Sequence, residues 1–192
     1  ARNSYVYTYG TRYQRNNQDR LTRAMQIMVN QVQSHINRKE KLEETVFYEP
    51  VFSEQMESLI EEISEVHGMD VKLYDTLGNL RVTSNQDMTI YSSGVLSTKM
   101  NPLAYYRLYY LHQVQTVTDE QVGRLDYLSI YAPVRNDKGR AVTFLNVPSY
   151  RSQDELNQEI SNFLVTVINL NAFIFLVAGG IALLITNRIT SS

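Results

Sequence analysis

Polar and apolar positions follow three different rhythms along this chain. Near its start, Leu21, Met25, Met28, Val32, His35, Lys39, Leu42 and Val46 recur at alternating steps of four and three, the spacing of one helical seam. The pattern predicts a long helix following a polar segment at 1–18. His35 and Lys39 interrupt the seam, which suits a helix partly covered by its own domain or by a partner better than an independent coiled coil. Met56, Leu59, Ile60, Ile63 and Val66 then form one apolar face of a second helix, with Ser53 placed to cap its start and Gly68 to end it.

The period next falls to two. Val71, Leu73, Leu80 and Val82 alternate with polar neighbours around a turn containing Gly78 and Asn79, which predicts a hairpin. The stretch 85–100 is irregular. Asn101 and Pro102 supply an N-cap and first-turn pair for a short, tyrosine-rich helix over 103–112. Three more strands are expected at 113–117, 125–134 and 140–147, the last two joined by a turn at 136–139 whose Gly139 tolerates positive φ. The elements define an α+β domain with about five strands.

The third rhythm has no polar face. Positions 163–185 are almost continuously apolar, and 173–185 carry no polar side chain. A bilayer core of about 30 Å needs roughly 20 such residues in a helix, whereas core helices of soluble proteins seldom stay apolar all round over this length. Ser152 and Glu155 match a capping box, and neither proline nor glycine follows before Gly179, so one helix is expected to leave the domain and enter the membrane unbroken. Asp154, Glu155 and Glu159 precede the span and Arg188 follows it, which places the domain outside and the C-terminal end in the cytoplasm.

Composition narrows the function. A formal charge of −2 argues against nucleic acid, and the absence of cysteine excludes a disulfide framework or thiolate zinc site. No signal peptide is visible at the start, so export by a first membrane helix upstream of Ala1 is expected. His112 with Asp119 and Asp126 is the best catalytic cluster, yet it has neither metal-ligand spacing nor a nucleophile. No enzyme activity, metal or cofactor is therefore expected.

The phrases Val71-Lys72-Leu73-Tyr74-Asp75 with Gly78-Asn79-Leu80, then Ser97-Thr98-Lys99-Met100-Asn101-Pro102, Ala104-Tyr105, and Ile185-Thr186-Asn187-Arg188-Ile189-Thr190 resemble the extracytoplasmic Cache (PAS-like) sensor region of bacterial HAMP-containing sensor histidine kinases, most closely those of Bacteroidetes. The resemblance covers 19–192. It implies a five-stranded antiparallel PAS-like sheet behind a long helix and a second helix, followed by one transmembrane helix. It further implies a sensor domain at 19–150 in the periplasm, a juxtamembrane and inner-membrane helix at 151–186, and the start of a HAMP linker at 187–192. A homodimer and a response regulator, engaged through a cytoplasmic kinase part beyond Ser192, are implied partners. Leu21, Met25, Met28 and Val32 are expected near the two-fold axis. His35, His67 and His112 lack the setting of a phosphoacceptor, and Arg107-Leu108-Tyr109-Tyr110 resembles only loosely the Arg-x-Trp-Tyr phrase of amino-acid-binding Cache domains.

Strand alternation puts Tyr127, Ser129 and Tyr131 on one side, and on the neighbouring strand either Thr143, Leu145 and Val147 or Val142, Phe144 and Asn146 share the face beneath the connecting segment at 91–112. Tyr127, Ser129 and Asn146, joined by Tyr106 and Arg107 from the tyrosine-rich helix, form the candidate ligand site. Two function classes follow: a receptor for a small-molecule or envelope signal, or a dimerising or protein-binding membrane scaffold without a pocket. A polar-lined cavity favours the first; an exposed apolar patch over a collapsed core favours the second.

Overall fold

A computed structural model of the chain describes residues 2–42, 54–85, 88–150 and 153–190. Two helices, α1 (Arg2–Leu42) and α2 (Glu54–His67), precede a sheet interrupted by short helices. Strands β1 (Lys72–Tyr74) and β2 (Leu80–Thr83) form the expected hairpin. After α3 (Met88–Ser92), α4 (Pro102–Tyr105) and a wide π-type turn at Tyr106–Tyr110 come β3 (Thr116–Val122), β4 (Leu125–Arg135) and β5 (Ala141–Ser149), and then α5 (Gln153–Thr190). The sheet is antiparallel throughout, in the order β2-β1-β5-β4-β3. The expected caps Ser53 and Ser152, and Val46 of the seam, lie outside the described residues, as do the side chains of Lys39 and Leu42.

One sheet face is closed by α1 and α2. Leu21, Met25, Met28, Val32 and Ile36 of α1 and Met56, Ile60 and Ile63 of α2 pack with Leu73, Val82, Ile130, Ala132, Val134, Leu145 and Val147. This corrects the expected dimer axis. Met28 and Val32 are fully buried in the domain's own core, so the seam faces the sheet and is not available to a second chain. Ile36 takes the buried place that the three-four rhythm gave to His35, because the covered stripe follows the sheet rather than a supercoil. Val66 is 70% exposed and lies off the packed face of α2.

β3 begins three residues later than the expected 113–117 strand. It is an edge strand paired only to β4, so its outer side tolerates the polar run Thr118-Asp119-Glu120-Gln121 that masked it in the sequence. Gly139 adopts φ +75° in the β4–β5 turn, where Asn136 Oδ1 accepts the backbone N–H groups of Lys138 and Arg140.

α5 is one unbroken helix. Leu156 and Ile160 near its start are buried against the domain, while Leu156–Thr190 is long and apolar enough to cross a membrane, with a mean hydropathy of 2.3 in its most apolar window. The hydroxyls of Thr166 and Thr186 donate to the carbonyls of Asn162 and Ala182, each at 2.8 Å. Both polar groups are thereby satisfied inside the helix, as a hydrocarbon surrounding requires.

Candidate ligand cavity

The sheet face turned away from α1 and α2 carries a different chemistry. Cross-strand register places Lys72 opposite Asn146, Asn146 opposite Tyr131, and Tyr131 opposite Thr116. Directly paired residues share a face, so Lys72, Asn146, Tyr131 and Thr116 form one row, with Tyr127, Ser129, Thr118 and Glu120 on the same side. A roof crosses above it at 94–102. This segment is fastened to the β1–β2 turn by the Leu80 N–H donating to Thr98 O and the Met100 N–H donating to Gly78 O, both at 2.8 Å, and by the Lys99 ammonium donating to Asn79 Oδ1. Asn101 Oδ1 caps α4 by accepting from the Leu103 and Ala104 N–H groups at 2.9 and 3.3 Å, which fixes the far end of the roof.

Between roof and sheet lies a cavity of about 740 Å³. Its floor includes Lys72, Tyr74, Tyr127, Tyr131 and Glu120, and Tyr91 stands at one side. Glu120 collects donors: Tyr131 OH at 2.5 Å and Thr118 Oγ1 at 3.2 Å meet Oε1, and Tyr127 OH at 3.0 Å meets Oε2. Burial, with the Glu120 charge adding to it, raises the Tyr127 and Tyr131 phenols well above the ordinary tyrosine range. Both therefore stay protonated donors.

Lys72 is the opposite case. It is only 5% exposed and lines the cavity. Its Nζ stands 5.5 Å from the centre of the Tyr91 ring, within reach of a cation–π attraction. Burial lowers its pKa from the ordinary lysine value, partly offset by the Glu120 and Asp70 carboxylates. Tyr91 is itself positioned by a 3.2 Å hydrogen bond shared between its OH and Thr83 Oγ1.

The five candidate site residues fall in three places. Tyr127 lines the cavity. Ser129 and Asn146 lie on the same sheet face but are buried beneath it, where Asn146 Nδ2 donates to Ser129 Oγ at 2.7 Å and to Ile130 O at 3.0 Å. Arg107 is outside the lining; its guanidinium donates to Thr116 Oγ1 at 3.1 Å and Val117 O at 3.3 Å, fastening the π-type turn to the start of β3. Tyr106 is 51% exposed and packs on Tyr110 away from the cavity. Sequence points to the segment 91–112 as the cover of the sheet, which includes Tyr91 and the roof, but not to Lys72 or Glu120. A lysine between Val71 and Leu73 signals only a polar strand face, and a solvent face and a cavity face share that signature.

The cavity wall is continuous with the base of α5. Tyr91, Leu96, Val122 and Tyr127 of the lining join Ile90, Leu125, Leu156 and Ile160 in one apolar cluster.

No protein-family model matches the chain, and no curated protein matches it. Among solved structures, the chain is similar to the sensor domain of Escherichia coli DcuS, at 8% identity and a TM-score of 0.39, covering 70% of this chain and 98% of that one. It is also similar to the sensor domain of the Vibrio cholerae histidine kinase DctB, at 16% identity and a TM-score of 0.40, covering 72% of this chain and 56% of that one. A third similarity is to an extracellular ligand-binding receptor from Desulfohalobium retbaense, at 15% identity and a TM-score of 0.40, covering 70% and 26% of the two chains.

Proposed function

We propose that this chain is the sensing region of a transmembrane receptor of the sensor histidine kinase type. Its PAS-like domain lies on the periplasmic side of the inner membrane and α5 crosses to a HAMP linker. The observation that carries this reading is the shared apolar cluster: residues that line a polar cavity also clamp the first turns of the helix that enters the bilayer. The resemblance of the phrases at 71–80, 97–105 and 185–190 to sensor kinases supports the kinase assignment.

The signal is a shift between two arrangements of α5. A ligand that binds one arrangement tenfold more tightly moves that equilibrium by about 1.4 kcal/mol. The displacement is delivered through Leu156 and Ile160, since nothing in α5 interrupts the rod before the membrane. Two copies are needed for kinase output, and because the α1 seam is buried, their contact belongs to other surfaces, α5 among them.

The scaffold reading has one observation in its favour, the exposed apolar surface formed by Tyr106, Tyr109, Tyr110 and Leu111. A thermal-shift screen of the full chain in nanodiscs against soluble metabolites separates the two readings, because a ligand that binds the folded state raises its melting temperature. The receptor reading expects at least one saturable rise that is abolished by Ser97→Trp, a bulky substitution in the roof that lines the cavity. Rises in no case, or rises indifferent to Ser97→Trp, would support the scaffold.

A further inference from the structure

We propose that the cavity takes a hydroxylated monocarboxylate, with its single carboxylate on the Lys72 ammonium and its hydroxyls on the tyrosine oxygens of the floor. The inference rests on the receptor reading and adds the chemical class of its ligand.

Lys72 carries the argument. The residue is 5% exposed and borders the cavity, and the Glu120 and Asp70 carboxylates offset only part of the cost of burying its charge, so an anion in the cavity would complete it. Its side chain comes from β1, an interior strand paired to β2 and β5, on the cavity face of the sheet. Tyr91 covers one flank of the ammonium, leaving the cavity side open for an anion.

The remaining polar groups limit what accompanies that anion. Tyr127 and Tyr131 already spend their protons on Glu120, so toward a ligand their oxygens act as acceptors and suit a hydroxyl donor. Ser97, Thr98 and Asn101 add neutral polar groups around the lining. The aromatic faces of Tyr74, Tyr91, Tyr127 and Tyr131 provide apolar contact for a carbon skeleton. A second carboxylate on the ligand would meet Glu120 on the floor, while the other lining cation, Lys99, is held to the β1–β2 turn by Asn79. An ammonium on the ligand would in turn stand against Lys72. One negative charge is therefore favoured over zero, two or a positive charge.

A charge series on one six-carbon skeleton tests this: glucose, glucuronate, glucarate and glucosamine, titrated calorimetrically into the full chain in nanodiscs. Glucuronate is expected to bind saturably and at least tenfold more tightly than the other three. Lys72→Met is expected to weaken glucuronate at least tenfold without lowering the melting temperature, and Lys72→Gln to do the same should the methionine variant fail to fold. Equal binding of glucose, tighter binding of glucarate or glucosamine, or full glucuronate affinity in both variants would overturn the assignment. Silence from all four would overturn the ligand class as well, and the metabolite screen with Ser97→Trp would still decide whether the cavity is a receptor site at all.

Discussion

The backbone N–H of Arg124, at the tip of the β3–β4 hairpin, donates to Oε2 of Glu159 on α5 at 3.3 Å. Gly123 beside it adopts φ +58°, and a Cβ there would stand 2.6 Å from the same carboxylate oxygen. The hairpin tip, which follows Val122 of the cavity wall, thus rests against the Glu159 side chain at the helix base. Exchanging Gly123 for alanine forces both a left-handed non-glycine conformation, which costs about 1–3 kcal/mol, and a displacement of Glu159. Gly123→Ala is expected to lower the melting temperature and to weaken the response of the complete receptor to its stimulus. Glu159→Gln keeps an acceptor oxygen and is expected to be much milder on both measures. An alanine variant with unchanged melting and unchanged response would show that the contact transmits nothing.

Asn146 offers a contrasting test, because its polar contacts are internal. Its amide is buried and donates to Ser129 Oγ and Ile130 O, so Asn146→Ala removes both of these buried hydrogen bonds and should cost about 1–3 kcal/mol. Chemical denaturation checks this. Ligand affinity measured well below the melting transition is expected to stay within threefold of the unsubstituted protein. A large loss of affinity with unchanged stability would move Asn146 from the framework into the binding site.

The α1 seam shows how far sequence reaches here. Leu21, Met25, Met28 and Val32 were legible as one helical stripe because the period of a helix is written locally. What the stripe packs against is a long-range matter, and four residues suited to a coiled coil suit a sheet equally well. The same limit explains the site. Alternation puts Tyr127 with Ser129 and leaves two choices on the neighbouring strand, between which the polar tip of Asn146 decides, but the roof at 94–102 has no period. It holds its shape through backbone bonds to a distant turn, and only with that roof does the polar face become a cavity. Glu120 was hidden for a related reason: on an edge strand the inward and outward polar residues of Thr118-Asp119-Glu120-Gln121 look alike until the register is known.

Alkaline pH should expose the buried tyrosines as a group. Burial is the largest cause of the raised pKa of Tyr74, Tyr127, Tyr131 and Tyr150, with neighbouring negative groups adding to it. In the unfolded chain each ionises near the ordinary value of about 10, whereas in the folded chain each resists. Stability from these groups is therefore complete below about pH 10 and is lost as pH rises above it, by about 1.4 kcal/mol per pH unit for each tyrosine still protonated in the fold. Lys72 has the opposite sign: its lowered folded pKa means that stability rises with pH up to the ordinary lysine value of about 10.4. Of the 14 tyrosines, these four are expected to ionise only together with unfolding, seen as a late, cooperative step in ultraviolet absorbance. A smooth titration of all tyrosines near pH 10 without loss of structure would contradict the packing of this face.

The central claim is that the cavity and the membrane helix are one mechanical unit joined through the cluster around Tyr127, Leu156 and Ile160. Amide hydrogen exchange of the full chain in nanodiscs tests it most directly, comparing the free protein with the protein saturated by whichever metabolite raises its melting temperature. The account expects altered exchange in the roof at 94–102 and, in the same experiment, at the hairpin tip 122–125 and the helix base 156–160. Changes confined to the roof and the cavity floor, with 156–160 exchanging identically in both states, would contradict it.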